Sequence, residues 1–200
     1  MDIGAGTTNL IVIEDGEVQH VSVLPVGGIN ITNDLAIGLK TDLDIAEAVK
    51  LQHASLKPDS KQSVSVKVGN FTHSFDYEMI SMITEARVEE LLEYVAKELH
   101  KIKRSGKLPG GVVIVGGSAK LPGLADFTRD KLQLPARIGK LQDVGGLVDT
   151  VEDTSWCAPV GLMLLDMLLT PSNPVSSSKG GRYAEQMFGL ADSLLKRFKR

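Results

Sequence analysis

The sequence predicts an α/β fold, and three features of its hydrophobic pattern carry this prediction. Two strand-like runs open the chain and are joined by an Asp15-Gly16 turn. An amphipathic stretch at 83–100 has apolar residues at helical spacing, and a β-branched run at 111–115 ends in a Gly-Gly loop. A period of two predicts strands, and recurrence every three to four residues predicts a helix. With 42% hydrophobic residues among 200, the chain can bury a substantial core.

Periodicity and turn residues set the remaining elements in order. The first two strands are predicted at 8–14 and 17–24, because an Asp-Gly turn between alternating runs favours a hairpin. Later strands are predicted at 64–68, 71–75, 111–115 and 136–138. Helices are predicted at 31–39, 44–51, 83–100, 122–132 and 160–169. Thr32 or Asn33 is the expected N-cap of the first helix, and Thr41 or Asp42 that of the second.

The end of the chain has a different composition. Residues 170–182 are rich in Pro, Ser and Gly and predict a flexible linker, and 183–200 predict an amphipathic helix. Its apolar residues share one helical face: Met187, Phe188, Leu190, Ala191, Leu194, Leu195 and Phe198. Four cations flank that face: Lys196, Arg197, Lys199 and Arg200. Such a helix suits an anionic membrane interface. The alternative is packing against the chain's own body or a partner's groove.

Charge and cysteine content restrict the classes of partner. The net charge of −3 argues against nucleic-acid binding, whereas residues 179–200 carry a local charge of +4 that favours an anionic partner. The cationic group at 101–107 is expected to be a helix end matched to its dipole. The single cysteine, Cys157, excludes an intrachain disulfide and is expected to be a buried thiol in a reducing compartment. We expect no signal peptide and no membrane-spanning helix.

Two glycine-rich turns are candidate phosphate-binding elements. The first is Asp-Ile-Gly-Ala-Gly-Thr-Thr-Asn at 2–9, and the second is Gly-Gly-Ser-Ala-Lys-Leu-Pro-Gly at 116–123. Small residues let backbone N–H groups approach phosphate oxygens, and threonine hydroxyls add donors. Asp2 could hold Mg²⁺ through water. Each turn taken alone is equally consistent with ordinary turn chemistry.

As a pair, the turns resemble those with which actin-like ATPases build half of a nucleotide cleft. The segments at 2–8, 25–39, 85–91, 116–123 and 137–139 resemble the bacterial division protein family FtsA. This resemblance extends to about residue 169 and implies the C-terminal half of an actin-like (ribonuclease H-like) ATPase fold. Residues 1–40 and 108–169 would form a larger subdomain, and 41–107 a smaller one.

The resemblance also implies ATP and Mg²⁺ as ligands, with weak or no ATPase activity. Asp2 would be the one catalytic candidate, acting on the metal and its water. The phosphates would meet Gly4, Gly6, Thr7 and Thr8, and the adenosine Gly116, Gly117 and Ser118. Glu47 and Lys50 would grip the ribose or base, or else form an ordinary surface pair. Two departures are Asn9, where an acid is usual, and Ala5, which would be strained if its φ were positive.

The implied partners are the C-terminal peptide of FtsZ, further copies of the chain in a filament, and the membrane. Arg87 is the candidate to pair with the acidic peptide, or else is an exposed helix charge. The tail would hold the protein on the cytoplasmic face of the membrane at the division septum. The alternatives are a chaperone or phosphotransferase of the same superfold, or a PilM-like pilus adaptor, against which the basic tail argues. Because the family's N-terminal half is missing, we expect poor ATP binding, and marginal stability or self-association through an exposed strand edge.

Overall fold

The computed structural model describes residues 1–140 and 153–169. The strands are β1 (Asp2–Ile3), β2 (Thr8–Glu14), β3 (Glu17–Leu24), β4 (Ser63–Val68), β5 (Phe71–Asp76), β6 (Val112–Ile114) and β7 (Ala136–Ile138). The α-helices are α1 (Gly28–Gly38), α2 (Leu43–His53), α3 (Tyr77–Lys101), α4 (Leu124–Leu132) and α5 (Cys157–Leu169). Short 3₁₀ turns lie at Gly117–Lys120 and Thr154–Trp156. The predicted linker and tail, 170–182 and 183–200, lie outside the described residues.

A mixed sheet organises the fold, with its strands side by side in the order β3-β2-β1-β6-β7. β1, β2 and β3 are antiparallel neighbours, and β6 and β7 are parallel. A parallel bridge between Asp2 and Val115 joins the two groups. At this junction the Ile3 N–H donates to the Val115 carbonyl, and the Val115 N–H donates to the Met1 carbonyl, both at 2.9 Å. β1 therefore lies at the centre of the sheet and carries the first glycine-rich turn at its end.

The predicted hairpin of β2 and β3 is confirmed. Its turn residues Asp15 and Gly16 both have positive φ, at 52° and 80°, as the tightest hairpin turns require. A bulge between Val12 and Ile13 shifts the register, so that Ile13 pairs with Val18. The two strands predicted at 64–68 and 71–75 are β4 and β5, which pair as a second hairpin and pack against α2 and α3.

Four of the five described α-helices begin earlier than the sequence predicts, and α4 begins later. α1 begins at Gly28, and neither Thr32 nor Asn33 is its cap. Gly27 is the N-cap instead, and its N–H donates to Oδ1 of Asn30 at 2.9 Å. Asp42 is the cap of α2 as expected, although its side chain accepts no capping hydrogen bond.

α3 differs most from its predicted extent, because it begins at Tyr77 rather than at 83. Its N-cap Asp76 accepts a hydrogen bond from the Glu78 N–H at 2.9 Å, which stabilises the first turn. α4 begins at Leu124, because Gly123 before it adopts a left-handed φ of 86°. α5 begins three residues before the predicted start, at Cys157.

One continuous hydrophobic cluster runs through the described residues. Its most deeply buried large side chains include Leu35 of α1, Ile80 and Leu92 of α3, and Ile114 of β6. The division into subdomains 1–40 with 108–169, and 41–107, stays a prediction. α3, assigned to the smaller subdomain, contacts β4 and β5 near its start and reaches β3 near its end, where Glu98 meets His20 at 2.9 Å.

β1 is much shorter than its neighbour β2 and pairs with only its first two residues. The rest of β2 therefore borders a groove of about 680 Å³ between β2 and β6. Val12, Val95 and Leu99 line it from one side, and Val112 and Val113 from the other. Among the described helices, none is both long and apolar enough to cross a membrane.

Thr128 on α4 tests the cost of an unsatisfied hydroxyl. Its side chain is fully buried, and in the described part of the chain its Oγ1 is the one buried side-chain polar atom without a hydrogen-bond partner. We expect Thr128→Val to raise the free energy of unfolding by about 1 kcal/mol, because no hydrogen bond is lost and a desolvated hydroxyl is removed. Chemical denaturation measures this change.

Thr84→Val is the matched control. Thr84 is equally buried in a helix, but its hydroxyl donates to the Ile80 carbonyl at 2.7 Å. The same substitution should therefore lower stability or leave it unchanged. Equal losses in the two variants would show that Thr128 has a partner after all.

Candidate functional site

The first glycine-rich turn is held against the start of α1 by backbone hydrogen bonds. The Gly4 N–H donates to the Thr7 carbonyl at 2.9 Å and closes the turn. The carbonyls of Gly4 and Ala5 then accept from the N–H groups of Gly28 and Ile29 at 2.9 and 2.8 Å. These are N–H groups that a helix start leaves without intrahelical partners. The turn therefore caps α1, and α1 fixes the position of the turn.

Gly27 makes this close approach possible. A Cβ at position 27 would lie 2.6 Å from the carbonyl oxygen of Ala5, which is well inside contact distance. Ala5 itself has no positive φ, so the strain expected for alanine at this position is absent. Alanine is compatible with the shape of this turn.

The second turn lies directly beside the first. The Ser118 hydroxyl donates to the Gly4 carbonyl at 3.3 Å, across a sequence separation of 114 residues. Gly116 has a φ of 94°, and a Cβ there would overlap the Asp2 carboxylate and the Ile3 carbonyl. The pairing of β1 with β6 thus places both turns at the carboxyl ends of two neighbouring strands, as the resemblance to actin-like ATPases implies.

Glu47 and Lys50 reach the same place from α2. The Lys50 ammonium contacts Glu47 Oε2 at 2.6 Å and donates to the Gly28 carbonyl at 3.2 Å and to Thr32 Oγ1 at 2.9 Å. Thr32 Oγ1 donates in turn to Glu47 at 2.5 Å. Burial alone would raise the pKa of Glu47, but the hydrogen bonds from Lys50 and Thr32 and the charge of Lys50 lower it overall. With a side chain 16% exposed, Lys50 is no ordinary surface cation.

The two adjacent threonines of the first turn differ in accessibility. Thr7 is exposed. Thr8 is fully buried, and its hydroxyl donates to the Val26 carbonyl at 2.8 Å. The prediction that the Thr8 hydroxyl meets a phosphate does not fit this geometry, because the alternation of β2 turns that side chain into the core.

Two backbone donors of the first turn are unpaired in the described residues. In residues 1–140 and 153–169, the N–H groups of Ala5 and Gly6 have no hydrogen-bond acceptor, and both residues are exposed. Asp2, which is half-buried, is the carboxylate beside them. The same ranges contain no cluster of three or more His, Cys, Asp or Glu residues. A Mg²⁺ ion held through Asp2 would therefore take its remaining ligands from water and phosphate, as this ion commonly does.

The 3₁₀ turn at Thr154–Trp156 supports the second loop from its other side. The Thr154 hydroxyl donates to the Gly116 carbonyl at 2.9 Å. Asp153 contacts Lys120 at 2.5 Å, and the hydrogen bond from Lys120, followed by those from Ser155, lowers the pKa of Asp153 to about 2. Cys157 is half-buried rather than buried as predicted. Partial burial, then the carboxylates of Asp2 and Asp153, raise the pKa of its thiol and so reduce the fraction of reactive thiolate at neutral pH.

Arg87 is engaged within the chain. Its guanidinium binds the Asp34 carboxylate through Nε at 2.5 Å and Nη2 at 2.9 Å, and it binds Glu90 through Nη1 at 2.5 Å. The hydrogen bond with Asp34 is the main reason that the pKa of Arg87 is raised. Arg87 is therefore not an exposed helix charge, because its donors are directed at two carboxylates. Its pairing with an acidic peptide stays a prediction.

The structure thus brings together Asp2, Gly4, Gly6, Thr7, Gly116, Gly117, Ser118, Glu47 and Lys50, and it places Arg87 on α3 in contact with α1. Gly27, Gly28 and Thr32 also belong to this cluster, although none of them was predicted as a site residue. A Gly-Gly pair directly before a helix was the signal for a close approach there. The predicted membrane-binding residues, from Met187 to Arg200, lie outside the described part of the chain.

Comparison with protein families gives one match over most of the chain. The family model described as "Cell division protein FtsA" matches residues 1–161. Curated proteins named cell division protein FtsA are similar, including those of Bacillus subtilis (38% identical over 82% of this chain) and Neisseria meningitidis (34% over 82%). The chain spans only 37% and 41% of the length of these two relatives.

Solved structures with the same fold include MreB5 of Spiroplasma citri bound to ADP, at a TM-score of 0.67 and 20% identity, covering 84% of this chain and 52% of that one. A PilM-PilN type IV pilus biogenesis complex matches with a TM-score of 0.56 and 21% sequence identity, covering 82% of this chain and 44% of that one. A non-polymerising MamK mutant bound to AMPPNP matches with a TM-score of 0.54 and 23% sequence identity, covering 71% of this chain and 48% of that one. These neighbours confirm the predicted actin-like fold.

Proposed function

The chain belongs to the FtsA family of cell division proteins, and from this premise we propose that it contributes half of an ATP site, a self-assembling body and a membrane tether. The proposal of an ATP site rests on the contact of Ser118 with Gly4, in which the two glycine-rich turns lie side by side. MreB5 and MamK, which share the fold, were solved with ADP and AMPPNP.

In this proposal the N–H groups of Ala5 and Gly6 and the hydroxyl of Thr7 face the phosphates. Asp2 holds Mg²⁺ through water. Gly116, Gly117 and Ser118 lie against the adenosine, and Glu47 with Lys50 lies beside the ribose. Thr8 is left out because its hydroxyl is buried and already bonded. Asn9 stands where an acid would order the metal's waters, so we propose that ATP controls assembly more than it is turned over.

The partners proposed are further copies of the chain, the C-terminal peptide of FtsZ, and an anionic membrane. The FtsZ peptide is assigned to the smaller subdomain, 41–107, without Arg87 as its anchor because that guanidinium is already paired. The tail, 183–200, would place the protein on the cytoplasmic face of the membrane at the division septum. Its seven apolar residues on one face and four terminal cations support this role.

Co-sedimentation with anionic vesicles tests the tether. The double substitution Lys196→Gln with Arg197→Gln removes two positive charges from the tail. It should weaken vesicle binding roughly 30-fold at low salt, since each cation near such a surface contributes about 1 kcal/mol. High salt should weaken the binding of the parent chain in the same direction, because it screens the lipid charge. A labelled FtsZ C-terminal peptide, titrated into the same samples, measures the second partner.

The matched control is Lys67→Gln with Lys97→Gln, which removes the same charge from two exposed positions on the body. That variant should bind vesicles like the parent chain. If both double variants weaken binding equally, net charge and not the tail drives the interaction, and the tether is wrong. If the FtsZ peptide binds none of these proteins, the proposal that the smaller subdomain binds FtsZ is wrong, whatever the result for the membrane tether.

A further inference from the structure

The outer face of the β2–β3 hairpin is apolar although it faces solvent. Cross-strand pairs Ile11–Val21 and Ile13–Val18 lie on this face together with Val23. These five side chains are 51–62% exposed. The opposite face of the same two strands, with Leu10, Val12 and Leu24, is buried in the core.

This arrangement departs from the usual pattern of a surface hairpin. An antiparallel pair with one solvated face alternates apolar and polar residues, whereas strands covered on both faces are apolar throughout. Scattered exposed apolar residues need no explanation, but a contiguous patch of this kind marks an interaction surface. We call these five residues, Ile11, Ile13, Val18, Val21 and Val23, the hairpin face.

The charge beside the hairpin face selects the kind of occupant. Residues 8–24 contain three acids, Glu14, Asp15 and Glu17, and no lysine or arginine. Glu14 is paired with Arg104 at 2.6 Å, while Asp15 and Glu17 are exposed at the turn. An apolar occupant with cations at one end would match this surface. A second hairpin face would instead bring like charges together, which disfavours docking between two copies of the face.

One segment of the chain has that complementary pattern. The tail, 183–200, has seven apolar residues at the spacing of one face of a helix, and its sequence ends in Lys196, Arg197, Lys199 and Arg200. Residues 170–182 between α5 and the tail can extend to about 45 Å. That length exceeds the radius of gyration of about 15 Å expected for a compact body of this size.

We propose that in the absence of lipid the tail docks on the hairpin face of its own chain, with its apolar stripe on Ile11, Val21 and their neighbours and its cations near Asp15 and Glu17. Docked and membrane-bound tails then exclude each other, because both use the same apolar stripe. The docking rests on the amphipathic tail of the proposed function, but it does not depend on the tail binding a membrane.

The test uses the intact chain of 200 residues and measures amide hydrogen exchange of the tail without lipid. Ile11→Thr with Val21→Thr keeps β-branched residues in both strands and leaves the charge unchanged, while it removes the apolar contact. We expect tail amides to be protected in the parent and to lose that protection in this variant. The control is Ile37→Thr with Phe71→Thr, at positions 77% and 73% exposed outside the hairpin face, which should keep the protection.

A reciprocal variant guards against misfolding of the hairpin. Leu190→Asn with Leu194→Asn, made in the tail, should raise amide exchange within β2 and β3 if the tail covers them. Vesicle affinity gives a second readout. A tail docked nine-tenths of the time lowers apparent affinity about tenfold, so the hairpin-face variant should bind anionic vesicles about tenfold more tightly than the parent.

A tail that exchanges freely in the parent chain overturns the docking, as does protection that survives the hairpin-face variant. Protection that disappears on dilution assigns the contact to the tail of a second copy and also overturns it. A tail that is protected but never binds vesicles leaves the docking intact and removes the membrane tether. The failures of the two proposals are therefore distinguishable.

Discussion

Replacing Gly116 by alanine is expected to lower the melting temperature by roughly 10 °C, the largest effect of any single substitution at the site. A non-glycine residue at its φ of 94° is strained, and the added Cβ would also overlap Asp2 and Ile3. Together these terms should cost roughly 3 kcal/mol or more, and a kilocalorie corresponds to about 2–4 °C in a body of this size. Thermal unfolding followed by circular dichroism measures the change.

Gly27→Ala and Gly6→Ala complete this series. Alanine at 27 has no φ penalty, but its Cβ would lie 2.6 Å from the Ala5 carbonyl, so an intermediate loss of roughly 1–3 kcal/mol is expected. A Cβ at Gly6 meets nothing within 4 Å, and the φ of Gly6 is not positive, so Gly6→Ala should be neutral or slightly stabilising. If all three variants melt together, the two turns are not in the contact described.

Replacing Arg87 by alanine should lower the free energy of unfolding by about 2 kcal/mol. Its side chain is 23% exposed and joins α3 to α1 through Asp34, which would be left without its partner. Hydrogen bonds to charged groups contribute about 1.5–3 kcal/mol, and partial exposure places this pair in the lower part of that range. Urea denaturation of Arg87→Ala, Asp34→Ala and the double variant should give a coupling energy of about 1 kcal/mol or more.

Arg129 provides the control for Arg87. It also contacts two carboxylates, those of Asp126 at 2.8 Å and Asp130 at 3.1 Å, but it is 54% exposed. Arg129→Ala should therefore change stability by less than about 0.5 kcal/mol. An Arg87→Ala protein with unchanged stability that no longer binds the FtsZ peptide would contradict the structural role and restore the original prediction that Arg87 contacts this partner.

The sequence was most informative where local chemistry decides the structure. The hairpin of β2 and β3 follows from alternation and an Asp15-Gly16 turn, both of which are properties of neighbouring residues. The β-branched run at 111–115 was recognisable as a strand ending in a Gly-Gly loop for the same reason. The actin-like fold came from a resemblance in several short motifs, and family and structural comparisons both agree with it.

Helix starts were less predictable, because groups far away in the chain decide them. The first helix was expected at 31, yet it begins at Gly28 because the carbonyls of Gly4 and Ala5 accept its first N–H groups. No pattern within 25–39 encodes those two acceptors. A helix end needs partners for its unpaired N–H groups, and tertiary structure can supply them in place of a capping side chain.

By itself the sequence identified the two glycine-rich turns and the Glu47–Lys50 pair of the candidate site, and separately the basic, apolar-patterned tail after a polar linker. Only the tertiary structure decided what each side chain does there. In the folded chain the buried Thr8 hydroxyl donates to the Val26 carbonyl, and Arg87 pairs with Asp34 and Glu90. Lys50 donates to the Gly28 carbonyl. The physical reason is that burial and hydrogen-bond partners depend on which distant segments pack together. At this site the pairing of β1 with β6 decides which segments are neighbours.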